Sequence, residues 1–238
     1  MNPIFDALSR AFRDLFQIRV LWIMIWPMLA AVLLWSILGV TFWSTFSGWI
    51  ASGLDAIGIQ TWLAGVEPRW VANGIQAVIH LILFVPLVFV TALLITAVFA
   101  MPALIGLVAE RDYPRLKRED GGGMLGSLAN TAVAMLIFVA IWLITAPLWL
   151  TGAGVAVPFI AATYLNQRLF RYDAIAEHAS SREMRTLSSR HRSSWWVLGL
   201  LTGLLQFAPF LNLAAAVFTA LAFIHYGLAR LEELRRAA

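Results

Sequence analysis

Long runs without a charged side chain dominate the pattern of polar and apolar positions along the chain. Four such stretches cover residues 20–54, 74–109, 121–167 and 193–229. Because a helix needs about 20 apolar residues to cross a bilayer, the first two stretches each predict one membrane-spanning helix, over 20–46 and 74–109. The last two stretches are longer and contain prolines and glycines near their centres, so each predicts a helical hairpin, over 121–167 and 193–229.

The centres of the two predicted hairpins are too apolar for ordinary exposed turns. The first centre reads Thr-Gly-Ala-Gly at 151–154, and the second reads Pro-Phe-Leu-Asn at 209–212. The limbs of the second hairpin have about 17 and 18 residues, or roughly 26 Å of helix, which falls just short of a hydrocarbon core of about 30 Å. We therefore expect re-entrant hairpins that stop within the bilayer, while hairpins of full depth stay open and give the same topology.

The basic residues are distributed unevenly among the segments between the apolar stretches. Residues 55–73 contain only Arg69 of the 17 lysines and arginines, whereas every other hydrophilic segment contains at least three. Because basic residues favour the cytoplasmic side, residues 47–73 are predicted to be periplasmic and both termini cytoplasmic. The segment 168–192 is then a cytoplasmic basic helix and 230–238 a cytoplasmic tail, so each late apolar stretch must return to the side on which it starts.

Residues 1–19 have the pattern of an amphipathic helix. Asn2 suits an N-cap and Pro3 the first helical position. Apolar residues then recur at helical spacing, with polar residues opposite, which predicts a helix lying on the cytoplasmic leaflet. A surface helix packed against the protein itself is the alternative. The apolar positions are Ile4, Phe5, Leu8, Phe12, Leu15 and Phe16.

The composition supports a membrane protein and narrows the possible chemistry. Of the 238 residues, 61% are hydrophobic and only 13% are charged, and the mean hydropathy is +0.81. Soluble domains have about 25% charged residues, and one of this size could not hide so much apolar surface in a single core. The absence of cysteine excludes disulfides, cysteine-containing zinc sites and cysteine nucleophiles. We expect one all-α membrane domain over 1–238, with the lipid bilayer as its surroundings and no nucleic-acid partner.

No combination of residues typical of an enzyme is visible. The four histidines lack metal-ligand spacing, and the glycine-rich run at 121–126 lacks the Lys-Ser/Thr of a phosphate-binding loop. No nucleophile stands with a base and an orienting group. We therefore expect no enzymatic activity, no metal and no cofactor.

Asn212 is the most informative polar residue within the apolar stretches. It follows Pro209 at a bend, where its side chain can cap the second limb. That limb would then direct free N–H groups and the positive end of its dipole into the membrane, a common way to hold an anion. The alternative, to which we give equal weight, is a turn that satisfies its own hydrogen bonds and binds no ligand. Because the backbone at such a bend cannot face lipid and two spanning helices are too few to cover it, a homo-oligomer is expected.

Several short motifs, in their order along about residues 15–230, resemble the CysZ / etoposide-induced protein 2.4 superfamily. The stretch at 207–213, with Pro209 and Asn212, resembles the family's Ile-Pro-x-x-Asn turn. The stretch at 99–110 carries Pro102 and Glu110 of an Ala-Pro-Phe-x-x-x-Leu-Ala-Glu motif. Tyr164 opens a Tyr-Leu-Asn sequence where the family has Tyr-Leu-Asp before a basic helix.

Arg19 stands where the same family has the arginine of a Gly-Leu-Arg segment. Here the segment reads Phe-Gln-Ile-Arg at 16–19, without the preceding Pro-Gly, and Asn166 replaces the Asp. The resemblance implies a bacterial inner-membrane protein with two long spanning helices, two half-penetrating helix pairs and oligomeric assembly. The resemblance also implies that Arg19 contacts an anion, because it implies a sulfate permease in which the Gly-Leu-Arg segment takes part in sulfate binding.

These inferences predict a permease or channel for a small oxyanion, with sulfate first and sulfite as a further candidate. Arg19 would attract the anion at the cytoplasmic interface, and the helix that follows Asn212 would hold it through backbone N–H groups. The alternative function is a membrane scaffold that transports nothing, which the half-inserted helices and the amphipathic N-terminus favour.

Overall fold

The structure, a computed structural model, describes residues 2–119, 121–150, 154, 156–205 and 212–237. Within these residues it is all-α and contains no strand, which confirms the expected fold class. The helices are α1 (Pro3–Leu15), α2 (Ile18–Thr41), α3 (Trp43–Ala56), α4 (Ile59–Ala64), α5 (Arg69–Asp112), α6 (Gly123–Thr145), a short 3₁₀ helix (Ala146–Leu150), α7 (Ala156–Ala176), α8 (Ser181–Arg190), α9 (Arg192–Leu205) and α10 (Asn212–Arg236).

Four helical segments within the described part of the chain are long and apolar enough to cross a membrane. They are Ile18–Thr41, Arg69–Ala92, Gly126–Leu148 and Ala214–Arg236. The first two correspond to the predicted spanning helices, and the other two are limbs of the predicted hairpins. The chain is thus an integral membrane protein with several apolar helices.

The turns of both predicted hairpins, at 151–153 with 155 and at 206–211 including Pro209, lie outside the described residues. The return limb of each hairpin is longer than the sequence predicted, because α7 runs unbroken across the expected boundary at 167 and α10 continues to Arg236. The 25 residues of α10 correspond to about 37 Å of helix, enough to cross a bilayer. The described part of α9 has 14 residues, or about 21 Å of helix, and ends where the described residues end. The half-depth of the hairpins stays a prediction.

The predicted basic helix over 168–192 is divided between the end of α7, α8 and the first residue of α9. The division has a local cause in Ser180, whose hydroxyl accepts a hydrogen bond from the backbone N–H of Glu183. The Glu183 carboxylate in turn accepts from the backbone N–H of Ser180 at 2.8 Å. This capping box starts a new helix at Ser181.

Packing divides the chain into two compact units, which we call the core unit (Met1–Leu21 and Met101–Ala238) and the span unit (Trp22–Ala100). In the core unit, α10 lies centrally and packs against α1, α7 and α9. Trp195 of α9 stacks on Phe223 of α10 with ring centroids 5.7 Å apart and meets Tyr226 edge-on at 4.8 Å. The expected single domain over 1–238 stays a prediction.

Helix α1 packs against the protein itself, which was the alternative arrangement, and its contact with a membrane stays a prediction. As predicted, Asn2 caps it, accepting a hydrogen bond from the backbone N–H of Ile4 at 3.1 Å. Ile4, Ala7 and Ala11 are buried on the side that packs against α10. The predicted apolar stripe is therefore split, because its aromatic part stays exposed on the surface of the protein. The exposed residues are Phe5, Phe12 and Phe16.

The span unit is held by aromatic side chains of α2, α3 and α5. Trp35 donates a hydrogen bond from Nε1 to Thr91 Oγ1 at 2.9 Å. Phe84 meets the Trp35 ring edge-on at 5.8 Å, and Phe46 meets Phe84 in the same way at 5.7 Å. Most apolar side chains of α2 and of the Arg69–Ala92 segment remain exposed, as expected for surfaces that face lipid.

Candidate functional site

An open cavity of about 550 Å³ lies in the core unit, between the start of α2 and the end of α5. We call it the arginine cavity. Two of its lining residues, Gly106 and Glu110, are one helical turn apart on α5, and the absence of a side chain at Gly106 leaves room beside the charged groups. The lining residues are Arg19, Ala103, Gly106, Leu107, Glu110 and Arg111.

The two arginines of this cavity differ in their partners. Arg111 Nη2 donates to Asp14 Oδ2 at 2.6 Å, and Arg111 Nε donates to Asp112 Oδ1 at 2.8 Å. Arg19 is exposed, and within the described residues its guanidinium makes no hydrogen bond or ion pair. Arg19 therefore offers its full set of donors to a ligand, whereas Arg111 is already neutralised.

A second pocket of about 310 Å³ shares Arg111 with the arginine cavity. Two further cations, Arg10 and Arg13, reach it from α1. Together the two pockets bring four arginines and three carboxylates to one side of the core unit, so the region is rich in charge with a small positive excess. The lining residues of the second pocket are Arg10, Arg13, Asp14, Gln17, Arg111 and Asp112.

Asp14, Arg111, Asp112 and His225 form a charged cluster beside the second pocket, in which Asp14 and His225 are buried, Asp112 is half-buried and Arg111 is exposed. His225 Nε2 is 2.8 Å from Asp14 Oδ2, and His225 Nδ1 is 3.8 Å from Asp112 Oδ2. The hydrogen bond from Arg111 lowers the pKa of Asp112, against the opposing effect of burial, and the hydrogen bonds to Asp112 and Asp14 raise the pKa of Arg111. Tyr113 donates to the backbone oxygen of His225 at 3.3 Å, and burial raises its pKa to about 12, so it remains a neutral donor.

The sequence did not predict this cluster because its members are far apart along the chain. One local signal was present: Asp14 follows Ala7 and Ala11 at helical spacing and therefore lies on the face of α1 that packs against α10. A carboxylate on a buried face requires a partner. The sequence alone could not show which basic groups supply it.

Ligand atoms of Asp14, Asp112 and His225 lie within 4.8 Å of one another, a grouping that could hold a metal ion. The guanidinium of Arg111 donates to both carboxylates and supplies the positive charge that such an ion would bring. The geometry therefore fits an ion-pair cluster that joins α1, α5 and α10.

The structure brings together only some of the residues that the sequence singled out. Arg19 and Glu110 line the same cavity, and Pro102 precedes its lining residue Ala103 on α5. Tyr164 lies on α7, with its ring 6.3 Å from that of Trp196, and does not line the cavity. Asn212 begins α10, at the predicted start of the second limb.

Comparison with known families identifies the chain. The family model described as sulfate transporter CysZ/etoposide-induced protein 2.4 matches residues 7–216. This match covers most of the chain, so the protein belongs to that family, and the matched range includes every site residue predicted from the sequence. His225 lies beyond it. No curated protein and no solved structure matches the chain.

Proposed function

We propose that this member of the sulfate transporter CysZ/etoposide-induced protein 2.4 family is a permease or channel for a small oxyanion, with sulfate as the first candidate and sulfite as the second. The observation that carries the proposal is the guanidinium of Arg19, which lines the arginine cavity and has no partner among the residues that the structure describes. A guanidinium presents several N–H donors in a fixed plane, which suits the oxygens of a tetrahedral or pyramidal oxyanion.

Glu110 lines the same cavity, and its charge limits how tightly an anion can bind there. Conduction requires a site that is favourable enough to fill and weak enough to empty. A carboxylate beside Arg19 provides an alternative partner for the guanidinium after the anion has left. We expect Glu110→Gln to increase the affinity for sulfate and to slow its release.

Beyond the arginine cavity, the path has to replace the water that surrounds the anion. A divalent oxyanion is costly to dehydrate, so further donors are needed at depth. The start of α10 at Asn212 is a suitable element, because the first N–H groups of a helix have no partners within it. We further propose that the protein forms a homo-oligomer in a bacterial inner membrane, with both termini in the cytoplasm.

Transport can be tested with purified protein in liposomes and radiolabelled sulfate. We expect uptake above that of empty vesicles, and a reduction of about tenfold or more for Arg19→Ala, because a charge-assisted hydrogen bond contributes roughly 1.5–3 kcal/mol. Arg182→Ala is the matched control, since Arg182 is exposed on α8 and lines neither pocket. Folded protein without flux would refute the transport proposal, and normal flux through Arg19→Ala would remove Arg19 from the path.

A membrane scaffold is the second candidate function, favoured by the exposed aromatic face of α1. Phe5, Phe12 and Phe16 are each more than half exposed, which suits insertion at a bilayer surface. Electron microscopy of the same liposomes distinguishes the two functions. The scaffold function would be supported if the protein shows no flux but changes the vesicle diameter or forms tubes. The Phe12→Ser variant should then leave the vesicles with their original shape.

A further inference from the structure

A second group of basic residues lies between α7 and α9, and the oxyanion path proposed above does not include it. Arg168 and Arg171 are about one turn apart on α7, and Arg192 is the first residue of α9, which packs against α7. Tyr164 precedes Arg168 by four residues and lies on the same face of α7. Its ring contacts that of Trp196, which follows Arg192 by four residues on α9.

Arg168 and Arg171 are half-buried and therefore partly dehydrated, whereas Arg192 is exposed. Burial lowers the pKa of Arg171, and the positive charges of Arg168 and Arg192 lower it further, while Tyr164 has the opposite effect. No acidic side chain acts on Arg171 among these interactions. By contrast, Arg111, Arg118 and Arg235 each pair with a carboxylate.

Several polar atoms of the same group lack partners within the described part of the chain. Arg168 Nε, Tyr164 Oη and Gln167 Oε1 are buried and make no hydrogen bond. The Gln167 side chain belongs to a residue that is only 4% exposed, and its amide can turn to present either the oxygen or the NH₂ group. Buried polar atoms are normally satisfied, so three of them without partners beside half-buried arginines suit a ligand that carries negative charge and accepts hydrogen bonds.

We propose that Tyr164, Gln167, Arg168, Arg171 and Arg192, here called the α7–α9 cluster, bind a tetrahedral oxyanion. The guanidinium groups supply the charge and most of the donors, while the phenol and the amide each add a donor. The anion is either free sulfate or phosphate or the phosphate of an anionic lipid. Both sources can reach the cluster, because it borders the apolar stretch 121–167 where lipid headgroups are expected.

This inference goes beyond the proposed transport function and does not depend on it. The α7–α9 cluster shares no residue with the arginine cavity. An oxyanion bound at the cluster would neutralise the arginines and tie α7 to α9 whether or not any anion crosses the membrane.

Arginine-specific labelling with phenylglyoxal tests the proposal on the unaltered full-length protein. Delipidated protein in detergent is labelled in sulfate, phosphate or chloride at equal ionic strength, and the labelled arginines are mapped by mass spectrometry. We expect sulfate or phosphate, but not chloride, to slow the labelling of Arg168 and Arg171 several-fold. Arg182 and Arg185 are the internal controls, because they are exposed on α8 and should label at one rate throughout.

A lipid arm separates the two sources of the phosphate group. Labelling is repeated in nanodiscs of phosphatidylglycerol and of phosphatidylcholine without added oxyanion. Protection only in phosphatidylglycerol identifies a lipid headgroup as the ligand. If neither free oxyanions nor the anionic lipid protects Arg168 and Arg171, the proposal is wrong. Protection that occurs without a free oxyanion or an anionic lipid, and that disappears when the protein is diluted, would also overturn the proposal. A second copy of the chain would then supply carboxylates to these arginines.

A variant pair checks the same point through binding. The double substitution Arg168→Gln with Arg171→Gln should weaken sulfate or lipid binding by about tenfold or more, whereas Arg182→Gln with Arg185→Gln removes equal charge and should leave binding unchanged. Sulfate that protects Arg19 alone would refute the α7–α9 cluster and leave the transport proposal intact. Protection of Arg168 and Arg171 together with no flux in liposomes would support the α7–α9 cluster and refute the transport proposal.

Discussion

Helix α10 and the first half of α5 are both apolar enough to cross a bilayer, yet their surroundings differ. In α10, 72% of the most apolar window is buried inside the protein, whereas in Arg69–Ala92 the buried share is 6%. The mean hydropathy of these windows is 1.5 and 2.3. Hydrophobicity therefore predicts that a helix leaves water, but it does not predict whether protein or lipid covers the helix.

The lower hydropathy of α10 reflects polar residues that are satisfied by neighbouring helices. His225 contacts Asp14 of α1, and Arg235 donates to Glu183 Oε1 at 2.8 Å and to the backbone oxygen of His178 at 2.8 Å. In the Arg69–Ala92 segment of α5, the charged end is exposed, and Arg69 Nε lies 3.6 Å from Glu67 Oε1. A helix enclosed by protein can carry polar groups at a low cost because their partners are in place, whereas lipid supplies none.

The largest expected effect separates a protein-facing phenylalanine from a lipid-facing one. Phe223 of α10 is fully buried against Trp195, so Phe223→Ala should lower the free energy of unfolding by about 3–5 kcal/mol. Phe89 of α5 is 48% exposed and has no ring contact among the described residues, so Phe89→Ala should have little effect. Unfolding titrations in mixed detergent micelles measure both, and equal losses would contradict the comparison.

A charge placed on a lipid-facing helix should act on insertion instead of on packing. Leu136 lies near the middle of α6 and is 71% exposed. Leu136→Lys should cost about 2.5–3.5 kcal/mol of insertion free energy, and Leu136→Ile almost nothing. The fraction of protein integrated into membranes during cell-free synthesis measures this cost. Normal insertion of the lysine variant would show that Leu136 faces protein or water in the assembled molecule.

A smaller effect is expected where α7 and α9 approach each other closely. A Cβ atom at Gly199 would lie 2.9 Å from Gln167 Cβ and 3.1 Å from the backbone oxygen of Thr163. Gly199→Ala should therefore destabilise the core unit by about 1–3 kcal/mol through overpacking, offset in part by the better helix propensity of alanine. Gly53 of α3 meets no atom within 4 Å, so Gly53→Ala is the control and should be neutral or slightly stabilising. If thermal unfolding shows that Gly53→Ala destabilises the protein more than Gly199→Ala, the close approach of α7 and α9 at Gly199 is refuted.

The smallest effect concerns the polar attachment at the end of α10. The hydrogen bond from Arg235 lowers the pKa of Glu183 from an ordinary value of 4.5 to about 2. A depressed pKa stabilises the fold above about pH 4.5, and this contribution is lost as the pH falls towards 2. We expect Glu183→Gln to lower the free energy of unfolding at pH 7 and to reduce its decline between about pH 4.5 and 2. Glu67→Gln in the span unit is the control. If neither variant changes the dependence of the free energy of unfolding on pH, the ion pair between Arg235 and Glu183 does not stabilise the fold.

The features that the sequence predicted correctly depend on neighbouring residues or on bulk composition. The cap at Asn2 requires only Asn2 and the two residues that follow it. The all-α membrane class follows from apolar runs of sufficient length, and the family from short motifs whose order is retained over most of the chain. Arg19 and Glu110 were singled out by their motifs, although their presence in one cavity was not predicted.

The features that the sequence could not predict depend on contacts between distant residues. Asp14, Asp112 and His225 meet because α1 packs against α10 and the end of α5 lies beside both. The side of α1 that is buried was also unpredictable, since both small residues and aromatic ones recur at helical spacing along it. The lengths of α7 and α10 exceeded the prediction because helices continue past the apolar stretches when other helices satisfy their polar side chains.

The sequence by itself determined that the chain forms helices, that these helices leave water, and which family they belong to. Each of these properties follows from apolar side chains and backbone hydrogen bonds along a single segment. Only the tertiary structure decided that α10 is covered by protein, that Arg111 is neutralised while Arg19 has no partner among the described residues, and that Arg192 of α9 comes near Arg171 of α7. Those outcomes depend on which helices become neighbours, and packing between segments far apart in the chain determines that choice.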